Sequence, residues 1–365
     1  NISLTFLDGS ACRSKNIHSP SLAKYTVNNL DDNGKTIGAL GAFNTIGSII
    51  GTFLPTFVTI PTVGTNYTFL IFSGILLLLG IIYFISKGTR RTVCAVSVAL
   101  FIIFSILGHN DRFAFWEKNL TYEGESVYNY LQVREDSDSV ILSTNVLFGV
   151  QSIMKKDDSL TGMYYDYAMA APVIAGIKEN DSADVLILGM GTGTYARQSL
   201  RYFPNLRIEG VEIDRRITDL ATKYFDLPKN VHVDTYDGRA YLQAIAKRYD
   251  VIMVDAYQDI TIPFQMSSKE FFNMVKGHLN KNGVMVVNMN MHSNQEGNVN
   301  QYLSDTIASI FPQVYTVDVN GSTNRELFAT ENNSAREDLT KNTAVLNNNQ
   351  LMGLMENIGD SLKRY

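Results

Sequence analysis

The chain of 365 residues has room for about two domains, and its 31 Lys and Arg against 36 Asp and Glu give a formal net charge of −5. A mildly acidic balance without a basic stripe argues against a nucleic-acid partner. Two cysteines, Cys12 and Cys94, and five scattered histidines offer neither a disulfide framework nor metal-ligand spacing, so no metal is expected.

The chain begins at Asn1 without the basic and short apolar pattern of a signal peptide. We read this start as a cut within a longer protein that has more membrane helices upstream. Residues 37–60, 67–86 and 92–108 then form three apolar runs free of Asp, Glu, Lys and Arg. A hydrocarbon core of ~30 Å needs about 20 such residues. The third run is the shortest and reaches only ~26 Å as a helix at 1.5 Å per residue. Small residues at Gly38, Ala42, Gly47 and Gly51 let helices approach closely. Pro55 is expected to kink the first run. The lipid bilayer is therefore an expected partner of residues 1–110, with about three spans. Lys87, Arg90 and Arg91 place the second connection inside, as Lys15, Lys24 and Lys35 do for the N-terminal tail.

Beyond Asp111 the pattern is that of a soluble domain. A small β unit is expected over 111–160, with strands at 127–133, 140–142 and 146–150. From 184 onward, strands alternate with helices, the mark of a parallel α/β sheet. Strands are predicted at 185–188, 208–211, 231–233, 251–254 and 284–287. Helices are predicted at 194–202, 215–225, 239–247, 268–279 and 298–310, with two closing strands near 314–319 and 327–329. The main domain is expected to cover 161–335, and 336–365 reads as a polar, peripheral C-terminal tail.

Gly189-Met190-Gly191-Thr192-Gly193 lies between the first strand of the sheet and its helix. Glycines there let backbone approach a ligand, and the next helix turns its N-terminus toward it. Glu212 ends the second strand, where an acid can accept both ribose hydroxyls. Gly193 is followed by Ala196 where a dinucleotide loop would carry a further glycine, which favours a mononucleoside. Asp237-Gly238 follows the third strand, either to meet an adenine amino group or as a solvated turn. Asp255 ends the fourth strand in Val254-Asp255-Ala256-Tyr257-Gln258-Asp259, at the sheet edge where ligands bind, with a helix cap as the rival role.

Residues 122–330 resemble the spermidine synthase family, in particular bacterial proteins that fuse membrane helices to such a domain. The stretches that carry the resemblance are GMGTGTYARQ (189–198), VEID (211–214) and VDAYQDITIPFQMSSKEFF (254–272); GALGAFNTIGSIIGTFLPTF (38–57) resembles the membrane part. The resemblance implies a Rossmann-like, class I methyltransferase-type α/β sheet preceded by a small β unit and an all-α transmembrane region. It implies aminopropyl transfer from decarboxylated S-adenosylmethionine to an amine such as putrescine, by an enzyme of polyamine biosynthesis. Gly189, Gly191, Thr192, Gly193, Glu212, Asp237 and Gly238 would then hold the donor, with Glu212 on the ribose and Asp237 on the adenine. Asp255 would be catalytic, and Gln151, Tyr165, Asp166, Tyr257, Gln258 and Asp259 would line the amine site. A homodimer is a further implied possibility.

Two positions depart from the family pattern. Thr192 stands where the family carries an acid for the donor's amine. Gln258 stands where it carries a second carboxylate, with Asp259 displaced by one residue. Thr192 leaves room for a methyltransferase using intact S-adenosylmethionine, and a non-catalytic polyamine or nucleoside sensor coupled to the membrane region is a third reading. An adenosyl donor made inside the cell sets the expectation of a cytoplasmic domain in a multi-pass membrane protein. This requires the third run to be interfacial, or upstream helices to override the charge rule.

Overall fold

The computed structural model describes residues 33–86, 88, 91–108, 114, 116–145, 149–256, 263–290 and 297–365. The chain divides into two units, Asn1–Asp111 and Arg112–Tyr365.

The described residues of the first unit are helical except for turns at Gly88 and Gly108. α1 (Asn33–Leu54) runs into a single π-helical turn, Pro55–Thr59, and onward into α2 (Ile60–Ser86); α3 spans Arg91–Leu107. Pro55 has no N–H to give to the α-helical ladder, and the turn that starts with it widens to the π form. The first two expected spans are thus one helical run, interrupted at Gly64, which adopts φ 82° and ψ 167°. Thr45 and Thr52 close their hydroxyls onto the carbonyls of Gly41 and Ser48 four residues earlier. Large apolar side chains such as Phe43, Leu76 and Leu107 stand exposed along these helices. Gly34–Ser86 is long and apolar enough to cross a membrane; Arg91–Leu107 is a shorter apolar helix.

The second unit opens with a four-stranded antiparallel sheet, β1 (Leu120–Glu125), β2 (Tyr130–Glu135), β3 (Ser139–Ser143) and β4 (Ser152–Lys155), in that order. The strand expected at 127–133 is broken here. Ser126–Asn129 makes the turn of the β1–β2 hairpin, closed by the Ser126 N–H on the Asn129 carbonyl at 2.8 Å. The strand expected at 146–150 belongs instead at β4; residues 146–148 lie outside the described residues. Leu131, Val133, Val140, Leu142 and Met154 pack one face of this sheet on Ile217, Leu220 and Phe225. Alternation of period two supplies that face, and on the opposite face the cross-strand pair Ile141 and Ile153 joins the core of the main sheet.

Two short helices, α4 (Tyr164–Ala168) and α5 (Ala170–Ile174), lead into the main sheet. Its strands are β5 (Asp184–Leu188), β6 (Arg207–Glu212), β7 (His232–Thr235), β8 (Tyr249–Val254), β9 (Leu279–Met289), β10 (Gln313–Asp318), β11 (Arg325–Thr330) and β12 (Lys363–Arg364). They run side by side in the order β12-β10-β11-β9-β8-β5-β6-β7. Strands β7, β6, β5, β8 and β9 are parallel, while β11, β10 and β12 are antiparallel. The chain works outward from β5 through β6 to β7, then crosses back to β8. A crevice therefore opens at the carboxyl ends of β5 and β8, where the connections part to opposite faces. This is a Rossmann-like, methyltransferase-type α/β fold.

Both faces of the parallel strands are buried, so β5 reads as an unbroken apolar run. Val185 and Ile187 enter one core cluster; Leu186 and Leu188 enter the other. Helices α6 (Thr194–Tyr202), α7 (Arg215–Tyr224), α8 (Gly238–Ala244), α9 (Lys269–Gly277) and α10 (Val299–Ala308) complete the layers. The expected polar tail is instead structural. It folds as α11 (Ala335–Thr343) and α12 (Asn349–Ser361), and β12 then adds an edge strand to β10. Leu351, Met355 and Ile358 recur at i, i+4 and i+7 and are fully buried in the first cluster. An Asn-rich surface hid a narrow apolar stripe.

Candidate active site

Gly189 follows β5 directly and adopts φ 83°. A Cβ there would lie 2.5 Å from the Asp255 carbonyl oxygen, so the β5 loop can touch the end of β8 only as glycine. Its N–H, and that of Met190, turn back to the Val211 carbonyl of β6. This loop is the floor of a cleft of ≈ 310 Å³ whose walls include Gly191, Glu212, Asp237, Gly238 and Asp255. That volume lies at the lower end of the range for small-molecule pockets.

Glu212 ends β6 and is buried. Its Oε2 accepts the Gly191 N–H at 2.9 Å and its Oε1 accepts the Asp214 N–H at 3.0 Å. The backbone thus sets the carboxylate's direction before any ligand arrives. Burial raises the Glu212 pKa, against the lowering effect of those backbone bonds. The β1–β2 hairpin is fastened beside it. Ser126 Oγ and Asn129 Nδ2 donate to Asp214 Oδ2 at 2.5 and 2.9 Å, and Asp214 Oδ1 also caps α7 through the Arg216 N–H. The hairpin tip, Tyr128 and Asn129, therefore lines the cleft, opposite Ile213 and Tyr236.

Asp237 is a helix cap rather than a free solvated turn. Its Oδ1 accepts the Ala240 N–H at 2.8 Å as the cap of α8, and the residue still lines the cleft. Asp255 is not a cap. Tyr164 Oη donates to its Oδ2 at 2.8 Å and Asn288 Nδ2 to its Oδ1 at 2.9 Å. Burial pushes the Asp255 pKa up to about 7; the bonds from Asn288 and Tyr164 hold it down, and the charge of Glu212 adds to the rise. A carboxylate with that pKa can both take and release a proton near neutrality.

Residues 167–323 match the spermine/spermidine synthase domain. A relative from Bifidobacterium longum, described as a probable polyamine aminopropyl transferase, is 60% identical over 260 residues, which are 71% of this chain and 57% of the relative. The chain thus spans a little over half the length of that protein. The polyamine aminopropyltransferase of Vibrio vulnificus is 28% identical over 211 residues, covering 56% of this chain and 69% of its own. Among solved structures, a probable spermidine synthase from Corynebacterium glutamicum superposes with TM-score 0.51 at 22% identity, covering 61% of this chain and 85% of its own. A spermidine synthase in complex with the transition-state analogue AdoDATO gives 0.50 at 21% identity, with coverages of 63% and 80%. These two share the fold.

Within the second unit, four residues expected at the site do not line the cleft. Thr192 is buried, its N–H donating to Ser152 Oγ at 3.2 Å. Gly193 takes φ 86° where α6 begins, and a Cβ there would meet the Leu227 side chain at 2.5 Å. Asp166 accepts bonds from the Thr161 N–H and hydroxyl and from the Gly162 N–H, so it fastens the turn before α4. Tyr165 Oη donates to the Gln151 carbonyl at 2.6 Å, which orients a residue that does line the cleft. Of the segment Tyr164–Asp166, only Tyr164 bonds Asp255. Tyr257, Gln258 and Asp259 lie outside the described residues. Sequence reasoning missed Asn288, Asp214 and the hairpin tip, because no motif links a turn to a carboxylate some 85 positions away.

Proposed function

We propose that this chain is an aminopropyltransferase that transfers the aminopropyl group of decarboxylated S-adenosylmethionine to an amine such as putrescine. The observation that carries this reading is one cleft with two carboxylates at the carboxyl ends of the strands that flank β5: buried Glu212 of β6 beside the glycine loop, and Asp255 of β8. Glu212 suits the ribose hydroxyls, while Tyr128, Ile213 and Tyr236 offer apolar walls for a nucleobase. Similarity to aminopropyltransferases over more than half of the chain supports the same reading.

An amine acceptor is an ammonium at neutral pH and has no lone pair. Asp255, held by Tyr164 and Asn288, takes one proton from it. The freed nitrogen then attacks the carbon beside the sulfonium, a C–N bond forms, and the C–S bond breaks with its electron pair passing to sulfur. Methylthioadenosine leaves as a neutral thioether.

The helical unit is read as a multi-pass membrane anchor, supported by the exposed apolar faces of α1, α2 and α3 and by the break at Gly64 that divides the long run. We further read the synthase domain as cytoplasmic, where its adenosyl donor is made.

The full chain in detergent, given putrescine with either donor, tests the activity by mass spectrometry. Spermidine and methylthioadenosine are the expected products with the decarboxylated donor. A methylated amine with S-adenosylmethionine, or no transfer with either, would overturn the reading.

A further inference from the structure

Asp255, Asn288 and Glu326 stand at one level of the main sheet, on β8 and the two strands beyond it. Val254 pairs with Val287, so Asp255 comes beside Asn288, and Asn288 pairs directly with Glu326 of β11. All three share the face on which Met253, Val286 and Phe328 pack. With strands ~4.8 Å apart, the backbones at Asp255 and Glu326 are about 10 Å from each other.

Glu326 is fully buried, and neither of its carboxylate oxygens has a hydrogen-bond partner among the described residues. Asn288 does not serve it, because its amide nitrogen goes to Asp255 and its oxygen accepts from Asn324 Nδ2 at 2.8 Å. The neighbouring cation on β11, Arg325, is turned to Asp318 at 2.5 Å. Burial, with the charge of Asp255 second, pushes the Glu326 pKa well above the usual carboxylate range. A buried carboxyl without donors is unfavourable, and in native proteins such a group calls for a missing partner. The chemistry assigned so far, from the glycine loop to Asp255, makes no use of it.

We propose that Glu326 is the second carboxylate of the acceptor site and receives the far ammonium of a diamine whose near nitrogen lies at Asp255. The proposal rests on the aminopropyltransferase reading. An extended four-carbon diamine holds its nitrogens roughly 6 Å apart, given bond lengths near 1.5 Å. Two charge-assisted bonds of ~2.8 Å extend that reach to about 12 Å in line, enough to bridge ~10 Å when bent. A monoamine reaches one carboxylate only. Burial favours the protonated form of Glu326 and an arriving ammonium favours its carboxylate, so binding shifts a proton from Glu326 toward water.

The test compares the full chain with Glu326→Gln, nearly the same shape, using putrescine, n-butylamine and the decarboxylated donor. The variant should raise the putrescine KM about tenfold to a hundredfold, as expected for a lost bond between charged groups. The KM for n-butylamine and for the donor should stay within twofold. A putrescine KM within twofold of wild type, or equal changes for all three ligands, would overturn the assignment. Calorimetry of putrescine binding with methylthioadenosine present, in buffers of different ionisation enthalpy, gives a second reading on wild type and Glu326→Gln. Because Asp255 also titrates near 7, the proposal is supported by a smaller proton release in the variant and defeated by equal release in both. The two ideas fail separately: wild type that binds putrescine with more proton release than the variant but transfers nothing sinks the activity and keeps the site.

Discussion

Asp255 shows how one residue is tuned by its surroundings. Burial raises its pKa to about 7, while the Tyr164 and Asn288 bonds pull the other way. The base form appears as pH rises through about 7, so kcat/KM should fall about tenfold per unit below it. Asp255→Asn should lower kcat by ~10²–10⁴, the usual weight of a lost general base. Tyr164→Phe removes a bond that favours the carboxylate, so its acidic limb should move to higher pH. A pH–rate series on the three proteins checks both, and an unmoved limb in Tyr164→Phe would separate that tyrosine from the proton transfer. Glu212 differs in having both oxygens engaged by backbone before a ligand arrives. Glu212→Ala should weaken methylthioadenosine binding tenfold to a hundredfold, a loss of ~1.5–3 kcal/mol. Calorimetry measures it, and an unchanged Kd would take the ribose away from Glu212.

Single elements carry more than their composition suggests. The C-terminal helix α12 looks polar, yet Met355 is fully buried between Leu351 and Ile358. Met355→Ala should destabilise the domain by ~2–5 kcal/mol, since a large apolar side chain leaves a cavity in a packed core. Denaturant unfolding reads this directly; a loss under 0.5 kcal/mol, the scale of ordinary surface substitutions, would return α12 to the periphery. The β1–β2 hairpin is the counterpart on the other side of the fold. Ser126 and Asn129 fasten its tip to Asp214, and the same carboxylate caps α7. One residue therefore couples the small sheet to the wall of the cleft.

At the scale of the whole chain, the two units ask for different solvents. The helices of the first unit present exposed Phe, Ile and Leu along their length, while the second unit buries its apolar side chains in layered cores. Exposed apolar surface of that extent is not sustained in water. The full chain should sediment with membranes and stay there through an alkaline carbonate wash; release into the soluble fraction would remove the anchor. Reporter fusions at Asp111 and at the C-terminus of the complete protein decide sidedness. A domain open to protease in intact cells would refute its cytoplasmic placement.

The sequence by itself determined what is local or periodic. Alternating strands and helices, the glycine loop after β5, Glu212 at the end of β6 and Asp255 at the end of β8 are all visible in the order of residues. Each depends on near neighbours: a buried parallel strand needs an apolar run, and a ligand loop needs glycine where backbone crowds backbone. The partners of those residues were decided only by tertiary structure. Tyr164 rather than Tyr165 bonds Asp255, Asp166 holds a turn, and Thr192 leaves the cleft. One position along a short helix rotates a side chain by about a quarter turn, which composition cannot register. Asn288 and Glu326 lie beside Asp255 through strand order, and the sheet brings together residues with no periodic relation in the chain. The apolar stripe of α12 likewise became core because β10 and β11 offered it a face to cover.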